Sequence, residues 1–107
     1  MKVKEKGHTI IITKTSEMPN DFLEKISHEY NQFKDKNLII DLGNQHSIDI
    51  QIFESLNTQH RANKKSFVVV IPEIDLDDFE DDIIVVPTLQ EAHDVIEMEE
   101  IERDLGF

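Results

Sequence analysis

Two short apolar runs constrain this chain more than anything else in it. Leu38-Ile39-Ile40-Asp41-Leu42 and Ser66-Phe67-Val68-Val69-Val70-Ile71 are nearly continuous rather than alternating. A strand wetted on one face alternates with a period of two, whereas a strand covered on both faces does not. Between the runs lie a polar loop, Gly43-Asn44-Gln45-His46-Ser47, and a stretch from Ile48 to Lys65 with helical character. Strand, crossover helix and strand make a βαβ unit, whose crossover is expected to be right-handed. The two strands then run parallel, and the rest of the chain packs around them.

The flanking segments supply that packing. Val3 and then His8-Thr9-Ile10-Ile11-Ile12-Thr13 read as two strands, with Gly7 near their turn and β-branched residues dominating the second. Lys2, Lys4 and Lys6 share one face of the first, which suits an exposed edge that must not pair with another chain. Pro19 sits near a helix start, and Phe22, Leu23, Ile26, Tyr30 and Phe33 follow at helical spacing as one core stripe. In the central helix Ile48, Ile52, Phe53 and Leu56 face the sheet, after which the sequence turns polar and basic, as a helix C-terminus favours. Leu76 and Phe79 are expected to pin a short turn or ordered loop. Ile83-Ile84-Val85-Val86 reads as a further buried strand, and Thr88-Leu89-Gln90-Glu91 as a capping box that opens a helix to about Asp104. The expectation is one α/β domain over residues 1–107, a mixed sheet of about five strands with helices largely on one face.

Charge narrows the partners. The chain carries −12 overall, unevenly spread. Residues 1–65 hold ten Lys/Arg and nine Asp/Glu, while residues 66–107 hold only Arg103 against fourteen Asp/Glu. An acidic C-terminal third cannot neutralise phosphates, so direct nucleic-acid binding is not expected. It suits a basic protein partner. There is no cysteine and hence no disulfide framework or thiolate metal site. No apolar stretch reaches the roughly 18 residues of a membrane span. Met1 to Lys6 carries charge but no apolar core, so no secretory leader is read there, and a cytoplasmic protein is expected.

No motif for chemistry stands out. His8, His28, His46, His60 and His93 are dispersed, the nearest two fourteen residues apart, so no local zinc motif forms. The carboxylates from Asp75 to Asp82 lack the glycine and the twelfth-position glutamate of a calcium loop. Dinucleotide, phosphate-loop and nucleophile-elbow patterns are absent from the sequence. No catalytic residue, cofactor site or metal site is therefore assigned.

The element order β-β-α-β-α-β-(α)-β-α resembles the STAS domain, the fold of bacterial anti-sigma-factor antagonists. Its sharpest local likeness is the apolar strand Leu38 to Leu42, ending in Asp-Leu, then a short loop and Ile48-Asp49 at a helix start. The family carries an Asp-Ser-Ser-Gly-like tetrad there, with one hydroxyl phosphorylated to control partner binding. Here the tetrad reads Asp49-Ile50-Gln51-Ile52. Only the aspartate matches, and neither isoleucine nor glutamine can accept a phosphoryl group. The resemblance thus implies a protein-interaction module in a regulatory system, lacking the family's phosphoacceptor, with Ser47, Asp49 and Gln51 as the switch-like region. Ser47 or Asp49 can also serve as the helix N-cap. The chain is similar, too, to short proteins labelled ribonuclease Z. The metal-dependent nuclease of that name needs an H-x-H-x-D-H cluster that the dispersed histidines do not supply. That likeness implies an accessory subunit or partner of such a nuclease.

The final helix carries two stripes. At about 100° per residue Leu89, Ala92 and Ile96 share the face expected to pack on the sheet. Met98, Ile101 and Leu105 share nearly the opposite face, between Glu97, Glu99, Glu100, Glu102 and Asp104. If the helix runs straight, residues 98–107 form a docking tail (Met98, Ile101, Leu105, Phe107) for a protein partner or a second copy. If it breaks near Glu97, the tail folds back into the core.

Overall fold

The computed structural model of the protein describes residues 1–43, 50–72 and 83–106. Along the chain it forms β1 (Lys2–Lys6), β2 (Thr9–Thr13), α1 (Pro19–His28), a 3-10 turn (Tyr30–Gln32), β3 (Asn37–Asp41), α2 (Ile50–Ala62), β4 (Phe67–Val70), β5 (Ile84–Val86) and α3 (Leu89–Asp104). The strands make one five-stranded mixed sheet in the order β1-β2-β3-β4-β5. Only β1 runs antiparallel to its neighbour. The α/β class and the mixed sheet are as the sequence predicts. Ser47, Asp49 and the segment around Leu76 and Phe79 lie outside the described residues.

Local chemistry accounts for the elements. Lys6 pairs with Thr9 across a two-residue turn in which Gly7 takes φ +59°, a value open to glycine at no steric cost. Pro19 opens α1, where its missing N–H costs nothing. Asp41 accepts a hydrogen bond from the Gly43 N–H at 3.1 Å, closing β3 with an Asx turn. The end of α2 is a Schellman motif: Lys65 N–H reaches the His60 carbonyl and Lys64 N–H the Arg61 carbonyl. Lys64 occupies the left-handed position with φ 60°, where glycine is the unstrained residue. At α3 the Thr88 hydroxyl accepts from the Glu91 N–H at 3.2 Å and donates to the Glu91 carboxylate at 3.0 Å. That is the predicted cap.

The sheet lies between two layers. Ile10, Ile12, Leu38, Ile40, Phe67 and Val69 turn to one side and join Phe22, Leu23 and Ile26 of α1 and Phe53 and Leu56 of α2 in the larger core. Two crossovers of the same hand, stepping β2 to β3 to β4 in one direction, put both helices on that face. Ile11, Ile39, Val68 and Val70 turn to the other side, where Ala92 and Ile96 of α3 cover them. The expectation of helices largely on one face therefore holds for α1 and α2, while α3 forms the opposite layer. The continuous apolar runs require it, because β3 and β4 leave no polar face to wet. β1 is exposed along its length, as an edge strand rich in lysine should be.

Candidate functional site

Polar side chains collect at the base of the sheet, where the parallel strands begin and α2 and α3 end. His60 is fully buried on the inner face of α2. Its Nε2–H donates to the Lys36 carbonyl at 2.7 Å, and its Nδ1 accepts from the Tyr30 hydroxyl at 2.7 Å. Those two partners fix a neutral imidazole in one tautomer. Tyr30 in turn accepts from Asn63 at 3.1 Å, and burial raises the phenol pKa. Both ring nitrogens are engaged within the protein, so the arrangement ties the turn that follows α1 to the end of α2.

A second clamp joins the two helical layers. Arg61 of α2 donates through Nη1 to both carboxylate oxygens of Glu99 on α3, at 3.2 and 3.3 Å. Arg103 donates to Asn37 Oδ1 at 3.3 Å and to Ser66 Oγ at 3.2 Å, while the same Asn37 oxygen accepts from the Ser66 N–H at 2.9 Å. Asn37 and Ser66 are buried at the feet of β3 and β4. Among the described residues no buried side-chain nitrogen or oxygen lacks a hydrogen-bond partner, and no group of histidines and carboxylates is placed to hold a metal. In open α/β sheets ligands bind at the carboxyl ends of strands. This cluster sits at the opposite end, and its fully paired interior is that of a structural joint.

Burial lowers the His60 pKa to about 4, the charges of Arg61 and Lys65 acting in the same direction and the bond to Lys36 against it. Unfolded, the ring titrates near 6.5. Above that pH both states are neutral there and His60 adds no pH dependence. Between about 6.5 and 4 the unfolded chain binds a proton that the native state refuses, so stability falls as pH falls, by about 3 kcal/mol over the whole window. Urea unfolding across this range is expected to show that slope, and His60→Gln to flatten it. An unchanged slope in the variant would place the ionisation elsewhere.

The outer face of α3 is built differently. The helix runs unbroken to Asp104, so among the described residues the chain does not break near Glu97 or fold back. Met98, Ile101 and Leu105 stand 63%, 53% and 68% exposed, along a ridge on the side away from the sheet. Beside the ridge a groove of about 600 Å³ separates α3 from the turn between β1 and β2. Lys6 and His8 line one bank and Glu97, Glu100 and Asp104 the other. His8 Nδ1 approaches Glu100 at 3.5 Å.

Two residues of α3 sit differently from what the helical spacing predicts. Leu89 is more than a third exposed, because it is the first residue of α3 and stands past the end of β5. Val95 packs at the inner face in its place. Glu99 does not flank the ridge but turns inward to Arg61. Of the switch-like residues, Gln51 falls in the first turn of α2, and Ser47 and Asp49 lie outside the described residues. Phe107 also lies outside them. Asn57 and His60 are buried although the sequence turns polar after Leu56. The signal was available: positions 53, 56, 57 and 60 continue a single helical stripe, and polar identity hid the last two.

No family model, curated protein or solved structure matches the chain. Among the described residues no helix is long and apolar enough to cross a membrane.

Proposed function

We propose that this chain is a non-enzymatic, cytoplasmic protein-interaction module on a STAS-like scaffold, docking its partner through the outer face of α3. The observation that carries the reading is the ridge of Met98, Ile101 and Leu105, three large apolar side chains left in water on an ordered helix. Scattered apolar residues on a surface are ordinary, but three in register on one helix face make a seam. The inner face of the same helix is already engaged through Ala92, Ile96, Glu99 and Arg103, so the ridge is not needed to hold α3 in place. The scaffold reading is supported by the element order and by β3 closing on Asp41-Leu42. At the tetrad, Asp49-Ile50-Gln51-Ile52 offers no phosphoacceptor hydroxyl, so interaction on this reading is not switched by phosphate at those positions.

The test compares the parent with Met98→Gln/Ile101→Gln/Leu105→Gln, which keeps both charge and helix propensity. With each as bait in an extract of the native cells, the parent is expected to retain a partner at near-stoichiometric level and the variant to lose it. Equal retention by both baits would remove the ridge from the interaction.

A further inference from the structure

We infer that the outer face of α3 and the groove beside it take a cationic amphipathic helix of another protein. Its apolar residues would seat on Met98, Ile101 and Leu105, and its lysines or arginines would reach Glu97, Glu100 and Asp104. The inference rests on the docking role proposed above and adds the chemistry of the partner.

Three observations lead to it. The ridge residues are spaced three and four apart, a seam about 10 Å long at 1.5 Å per residue. A second helix lying alongside presents anchors at the same spacing. The groove bank on α3 carries carboxylates of Glu97, Glu100 and Asp104 against the one lysine, Lys6, on the facing bank. Long cationic side chains bury their stems on apolar surface and keep their heads at such carboxylates. Ile101 lines the same groove and supplies that surface.

Charge also decides against a second copy as occupant. Each chain carries −12, most of it in the final third. Pairing α3 with its own image would press the two carboxylate banks together, and like charges in contact repel. Salt separates the cases by sign. A cationic partner binds more weakly as salt rises, whereas a dimer of acidic chains binds more tightly.

The probe is a fluorescent synthetic helix of about 18 residues with leucine on one face and lysine on the other, followed by anisotropy. A leucine–glutamate helix of the same pattern is the control. The parent chain is expected to bind the lysine helix and not the glutamate helix, and to lose affinity between about 50 mM and 500 mM salt. Met98→Gln/Ile101→Gln/Leu105→Gln is expected to weaken binding at least about tenfold with net charge unchanged. Glu97→Gln/Glu100→Gln/Asp104→Asn is expected to do the same through charge alone.

Equal binding by the parent and the ridge variant would overturn the inference, since the peptide would then be answering only to bulk negative charge. So would dimerisation of the parent that strengthens with salt while the lysine helix stays unbound. If the lysine helix fails to bind but capture from native extract still depends on the ridge, the partner chemistry is wrong and the docking role stands. If both fail, the docking role fails with it.

Discussion

Replacing Phe53 with alanine is expected to lower the unfolding free energy by about 4 kcal/mol. The ring is fully buried on the inner face of α2, in the same core as Leu38, Ile40, Phe67 and Val69. Truncation removes the transfer free energy of the ring and leaves a void that close-packed neighbours fill only in part. A domain of this size has about 5–15 kcal/mol in total. The variant therefore loses a large fraction of its stability and is expected to unfold at much lower urea. A loss below about 1.5 kcal/mol would show that α2 is not seated on the sheet as described.

His60→Ala is expected to cost nearly as much, about 3 kcal/mol, for a different reason. The imidazole fills core volume, and it also satisfies the Lys36 carbonyl and the Tyr30 hydroxyl. Its removal leaves a cavity lined by a buried acceptor and a buried donor without partners. Tyr30→Phe deletes the hydroxyl alone and is expected to cost about 1–2 kcal/mol. Because the two residues share one hydrogen bond, the double variant should cost less than the sum of the single ones. Strict additivity in urea unfolding would mean that the Tyr30–His60 bond contributes nothing.

Legibility in the sequence followed the kind of force involved. Apolar periodicity reports burial directly, so Leu38 to Leu42 and Phe67 to Val70 announced strands covered on both faces, and Phe22, Leu23 and Ile26 announced a core helix. Cap and turn chemistry is local, and Thr88 with Glu91, Gly7 and Pro19 behaved as their residue types demand. Buried polar contacts are not legible in this way. His60, Arg61 and Glu99 look like surface residues until the fold brings them to partners far along the chain. The side of the sheet taken by α3 was likewise implicit: continuous strands need two covers, and crossover handedness assigns only α1 and α2. The outer ridge of α3 was visible as a stripe, and what the fold adds is that the helix runs straight beneath it.

That straight course changes how the ridge must be tested. Cutting the chain after Glu97 would remove Glu99 and Arg103, and with them the contacts to Arg61, Asn37 and Ser66. A loss of stability on truncation would then say nothing of Met98, Ile101 or Leu105. The direct measurement is thermal unfolding of Met98→Gln/Ile101→Gln/Leu105→Gln beside the parent, at a concentration where both are monomeric. If the ridge is a docking face held outside the core, the midpoint stays within about 3 °C of the parent. A fall of about 10 °C or more would mean that these side chains belong to the domain's own core, and would contradict the account.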